Sequence, residues 1–138
     1  MSFDFPFEYA AIPGLGVLFY PIVRIEVHTI LGWRLFEFLV DTGADVTTVN
    51  SDFLSIVGLE PSKLQKSQAH GVGGIAVKTW EFILPMRLGQ RELQVKANVV
   101  KSKHDSLPLL LGRKDIFEKA YSLHLDSKRK MTTIIENN

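Results

Sequence analysis

From Pro21 to His28, apolar and polar residues alternate. Pro21, Val23, Ile25 and Val27 fall on one side, and Ile22, Arg24, Glu26 and His28 on the other. A period of two predicts a half-buried strand over 17–29. Gly32-Trp33 interrupts it, and Leu35-Phe36-Glu37-Phe38-Leu39-Val40 resumes it, turning apolar on both faces toward Asp41. A strand end of that kind is buried on both sides. Val46-Thr47-Thr48-Val49 is β-branched throughout and predicts an extended segment. Ser51 then reads as an N-cap, with a short helical turn over 52–57 and Gly58 as its stop. Ile75 to Leu84 predicts a long strand, Pro85 its end or a sheet edge, and Met86 to Leu88 with Glu92 to Val100 a hairpin across Gly89-Gln90. Leu107-Pro108-Leu109-Leu110-Leu111 is an apolar run stopped by Gly112. Arg113 to Lys119 favours a helix with Ile116 and Phe117 inward. Tyr121 to Ile135 predicts a terminal hairpin around Ser127-Lys128-Arg129-Lys130.

Many short strands with one late helix predict an all-β sandwich or barrel. The 138 residues, 46% hydrophobic and 22% charged, suit one domain with a real core. Residues 1–16 carry Pro6, Pro13, Gly14 and Gly16 among aromatic residues and read as a turn-rich lead-in packed on the domain of residues 17–138. Lys+Arg 16 against Asp+Glu 15 leaves a net charge of +1, so no global field draws nucleic acid or an anionic membrane. With Cys 0, thiol catalysis, disulfides and Cys-based zinc sites are excluded. The four histidines show no metal-ligand grouping, and neither metal nor cofactor is expected. No run of about 20 apolar residues exists, and Met1 to Glu8 lacks the pattern of a signal peptide. The expected location is cytoplasmic.

The strongest local signal for chemistry is Asp41-Thr42-Gly43-Ala44-Asp45, where an apolar strand delivers a carboxylate into a tight turn. Taken alone, Asp-x-Gly is ordinary turn chemistry, because Asp accepts from nearby backbone groups and Gly is permissive. An EF-hand is excluded, since Gly43 and Val46 stand where that loop needs an oxygen ligand and a glycine. Gly71-Val72-Gly73-Gly74-Ile75-Ala76 loosely fits a dinucleotide pattern. Its glycines follow polar residues and lead into a strand rather than a helix, which excludes that reading.

Taken together, three ordered motifs resemble the retropepsins, the single-domain aspartic proteases of retroviruses and their cellular relatives. Leu39-Val40-Asp41-Thr42-Gly43-Ala44-Asp45 resembles the active-site turn, Gly71-Val72-Gly73-Gly74-Ile75 the flap tip, and Leu109 to Phe117 the second signature. The match runs from about Tyr20 to Ile135. The resemblance implies a closed β-barrel with one short C-terminal α-helix and an aspartic endopeptidase acting on peptides or proteins. That chemistry needs two carboxylates sharing a proton, and this chain has one Asp-Thr-Gly. The resemblance therefore implies a homodimer with an Asp41 from each subunit at the two-fold axis. It implies further that Thr42 braces the paired turns, that Gly43 lets substrate approach, that Asp45 receives Arg113, and that Gly71, Gly73 and Gly74 let the flap close. The terminal hairpin Tyr121 to Ile135 would form the subunit interface. The competing reading is a non-catalytic dimer of the same fold that binds a peptide strand or serves only as an interaction module.

Overall fold

The computed structural model describes residues 1–70, 76–101 and 108–138. Twelve strands and one α-helix follow one another as β1 (Ser2–Pro6), β2 (Glu8–Ile12), β3 (Gly16–Tyr20), β4 (Ile22–Thr29), β5 (Gly32–Val40), β6 (Thr47–Asn50), α1 (Ser51–Ile56), β7 (Gln65–His70), β8 (Ala76–Leu88), β9 (Arg91–Val100), β10 (Leu109–Leu111), β11 (Tyr121–Asp126) and β12 (Met131–Glu136). The alternation in the sequence is realised as burial. Val23, Ile25 and Val27 of β4 point inward with Phe38 and Val40 of β5, and they meet Leu84, Met86, Val95, Ala97 and Val99 in one core. Removing these side chains from water is the main stabilising term.

The strand order β4-β5-β10-β6-β9-β8 closes on itself, because β8 also pairs with β4 at Glu26↔Arg87 and Val27↔Met86. This makes a six-stranded barrel. Two of its neighbours are parallel, β5 with β10 and β6 with β9, and the others are antiparallel. The closing seam carries its own side-chain fastening. Arg87 bridges Glu26 at 2.5 Å and lies over the Trp33 ring at 4.4 Å, with both charges half-buried. Pro85 does not end β8. It falls between Glu81, the last residue paired with β7, and Met86, one of the pair joined to β4, so its missing N–H lies where that edge of β8 is unpaired.

Helix position departs from expectation. Among the described residues the one α-helix is α1, capped by the Asn50 side chain, which accepts from Phe53 N–H at 3.0 Å, one residue earlier than the Ser51 cap predicted. The short C-terminal helix expected over 113–119 is instead a chain of turns. Asp115 takes φ 65°, and Glu118 N–H and Tyr121 N–H reach back five residues to Arg113 and Ile116 carbonyls, so the i→i−4 ladder never propagates. The turn still buries Ile116 against the core as a helix would. It is anchored by Asp115, whose carboxylate accepts Lys96 N–H at 2.9 Å.

The lead-in is strand rather than coil. β1 pairs with β12 from Ser2↔Ile135 to Pro6↔Met131, and β12 pairs with β11, giving a three-stranded sheet. Phe3 and Phe5 rest against the core, while the β2–β3 hairpin leaves most of its side chains exposed. Asp4 fastens this sheet, accepting from the Thr133 hydroxyl at 2.5 Å and pairing with Arg129 at 3.0 Å. The Thr133 hydrogen bond, with Arg129 behind it, holds the Asp4 carboxyl below the usual range; the Lys96 N–H does the same for Asp115. A depressed folded-state pKa stabilises the fold at pH values above the ordinary carboxylate range. That contribution is lost as pH falls through the lowered values. Among the described residues no helix is long and apolar enough to cross a membrane.

Candidate active site

Asp41 sits where β5 ends, and its placement follows from strand pairing. Leu39 and Val40 run parallel to Leu110 and Leu111 of β10, and Asp41 N–H continues the ladder by donating to the Leu111 carbonyl at 3.0 Å. One residue earlier, Val40 N–H donates to the Pro21 carbonyl at 2.9 Å. The chain then turns on the aspartate itself. Gly43 N–H donates to Asp41 Oδ1 at 3.0 Å, and Ala44 N–H to the Asp41 carbonyl at 3.1 Å. The carboxylate is held at one oxygen by its own turn and remains half-exposed, with Thr42 and Gly43 exposed beside it.

Gly112 and Arg113 lock this turn from the other side. Arg113 N–H donates to the Ala44 carbonyl at 3.1 Å and Lys114 N–H to the Asp45 carbonyl at 2.9 Å. The Arg113 guanidinium forks, one nitrogen on the Thr42 carbonyl and the other 2.5 Å from Asp45 Oδ1. A planar fork is the geometry that can hold two acceptors on one turn at once. Gly112 is buried so closely that a Cβ would lie 2.3 Å from the Val46 carbonyl carbon and 2.7 Å from Thr47 N. Its N–H donates to the buried Thr47 hydroxyl at 3.2 Å.

The structure thus brings together Asp41, Thr42, Gly43, Ala44, Asp45 and Arg113. Gly71, Val72, Gly73, Gly74 and Ile75, expected as the flap tip, lie outside the described residues. Sequence reasoning missed the Thr42 carbonyl as a second acceptor for Arg113, and the Thr47 hydroxyl as the acceptor that seats Gly112. The first is backbone and leaves no sequence signal. The second was hidden in the β-branched run, where a threonine reads only as a strand former. An apolar depression of about 420 Å³ lies at the other end of β4 and β5, lined by Thr29, Ile30, Leu31, Phe36 and Ile56 among others. Its lining holds no carboxylate. Among the described residues no group of three His, Asp or Glu is arranged to hold a metal.

A closed six-stranded barrel that presents Asp-Thr-Gly at a strand end, locked by a Gly-Arg segment entering beside it, defines the class of retropepsin-like aspartic proteases. The family model described as gag-polyprotein putative aspartyl protease matches residues 28–115, and the chain belongs to that family. A retropepsin-like aspartic protease from Rickettsia conorii superposes with a TM-score of 0.61 at 20% identity, covering 97% of this chain and 92% of that one. The EIAV protease complexed with the inhibitor HBY-793 superposes with a TM-score of 0.53 at 22% identity, covering 68% of this chain and 82% of that one. At these identities the likeness is one of fold. No curated protein matches the sequence.

Proposed function

We propose that this protein is an aspartic endopeptidase whose site is completed by a second copy of the chain, with one Asp41 from each. The observation that carries the reading is the Asp41 turn, a carboxylate oriented by its own backbone, braced by Arg113 and left open to solvent on a barrel of the aspartic protease family. A single carboxylate cannot be acid and base in the same step. Within the described turn the other carboxylate, Asp45, is engaged by Arg113, so a second Asp41 is the natural partner.

Two carboxylates brought into contact share one proton, because their titrations separate. The ionised Asp41 takes a proton from a water molecule as its oxygen attacks the peptide carbonyl carbon. The protonated Asp41 donates to the carbonyl oxygen, which becomes a hydroxyl of the tetrahedral intermediate. Collapse breaks the C–N bond, the amine leaves with a proton, and the dyad is restored with one proton. Thr42, at the apex of the turn, would brace one subunit against the other, and Gly43 would admit the substrate backbone.

Cleavage of an unstructured peptide mixture, followed by mass spectrometry, tests this directly. The rate is expected to peak on the acid side of neutrality, since the dyad is competent only with one proton aboard. Below the optimum it should fall as the shared site takes a second proton and as Asp4 and Asp115 lose their stabilising charge. A rate that keeps rising above pH 7 rules out the dyad.

Arg113 gives a separate check. Arg113→Ala is expected to lower kcat/KM by about tenfold or more while the barrel still folds, because the Asp45 end of the pair is 87% exposed and screened. Arg113→Lys should fall between the two, keeping charge but losing the fork. Circular dichroism establishes folding, and equal rates for all three proteins would remove Arg113 as a positioning residue.

A further inference from the structure

The β2–β3 hairpin is poorly accounted for by its own chain. It pairs Glu8↔Tyr20 through Ile12↔Gly16, and residues 9–20 contain no charged side chain. Tyr9, Val17 and Phe19 share one face, Leu18 and Tyr20 the other. Tyr9 is 52% exposed, Leu15 69% and Val17 68%. Phe7 stacks on Phe19 at 4.2 Å, but among the described residues β2 and β3 pair in a sheet only with each other. A lone two-stranded hairpin is marginal in water, and an apolar surface of this kind marks an interface.

Its attachment indicates which interface. Tyr20 runs directly into Pro21, whose carbonyl accepts from Val40 N–H, the residue before Asp41. At the other root, Phe7 N–H donates to the Lys130 carbonyl. The hairpin therefore springs from the end of the barrel that carries the Asp41 turn. We infer that it is an arm that grips a second copy of the chain, its apolar faces buried on the partner beside the paired Asp41 turns. The inference rests on the reading of a site shared by two chains, because a copy brought to Asp41 is brought to the root of the arm. From Tyr9 to Tyr20 the absence of charge fits self-association, since a two-fold axis sets each surface against its own copy and like charges there would repel; the one charge of the hairpin, Glu8, stands at its root opposite Tyr20.

Sedimentation velocity over a range of concentrations, with the full chain, tests the arm independently of catalysis. The Val17→Glu/Phe19→Glu double variant is expected to weaken the dimer by about 100-fold or more, and Phe19→Ala by about tenfold. Both should keep the circular dichroism and melting of the barrel, which the arm does not help to bury. An unchanged dimer constant in both variants overturns the arm, as does a wild-type chain that stays monomeric throughout. So does wild-type binding to phosphatidylserine vesicles that the variants lose while dimerisation is unaltered. The two readings separate cleanly. A dimer that needs the arm yet cuts no peptide keeps the arm and discards the peptidase, and a cutting dimer indifferent to the arm does the reverse.

Discussion

Asp41→Asn is expected to abolish peptide cleavage, lowering kcat/KM by at least about a thousandfold, while fold and dimer persist. Asn is nearly the same shape and its side-chain oxygen can still accept Gly43 N–H, the bond that now shapes the turn at 3.0 Å. What it cannot do is ionise. Because each subunit would supply one Asp41, the change removes base and acid together. Mixing equal amounts of wild type and variant, with time for exchange, should leave about half of the activity that the wild-type chains show alone, about a quarter of that of the same total amount of wild type, since only dimers with two aspartates are competent. Cleavage by pure Asp41→Asn at anything near the wild-type rate would end the aspartic reading. A wild-type chain that binds a transition-state-mimicking peptide but hydrolyses none would point to the binding module instead.

Gly112→Ala should be the most damaging single methyl in the site. The added carbon would meet Val46 and Thr47 backbone at 2.3 to 2.7 Å, and backbone there belongs to the turn and to β6. No side chain can swing aside, so either the β10 end or the active-site turn must move. Overpacking of this kind costs about 3 kcal/mol or more. Chemical denaturation should show that loss, and a cleavage assay a larger fall, since Arg113 moves with its neighbour. Gly43→Ala makes a useful control. Its Cβ would meet only Asp41 Oδ1, at 3.3 Å, and should disturb catalysis more than stability. Wild-type stability in Gly112→Ala would refute the clamp.

Much of the barrel was legible because alternation reports burial directly, as in β4 and β5, where Val23, Val27 and Phe38 are fully enclosed. Barrel closure was legible only through the resemblance of the three motifs and not through alternation, since it depends on Glu26 and Val27 meeting Arg87 and Met86 some sixty residues later. Residues 113–119 have good helix formers, yet the Asp115 carboxylate is spent on Lys96 N–H and its backbone turns left-handed, a tertiary override of local preference. Pro6, Pro13, Gly14 and Gly16 read as punctuation, which concealed the strands between them. At the site, Asp41-Thr42-Gly43 was legible as local turn chemistry. The carbonyls of Pro21, Thr42 and Leu111 that hold it are backbone groups, and no residue type announces them.

The terminal sheet bears on how such an enzyme would be governed. β12 takes its outer neighbour β1 from the same chain, and Glu136 N–H closes on the Met1 carbonyl at 2.8 Å. Within the terminal sheet β12 is paired on both sides by strands of its own chain. If two copies complete the site, a dilute molecule keeps its barrel and terminal sheet but lacks both the second carboxylate and the surface on which its arm is buried. On that reading local abundance would act as the throttle: crowding copies together would start proteolysis, dispersing them would stop it, and no chain would have to unfold in between.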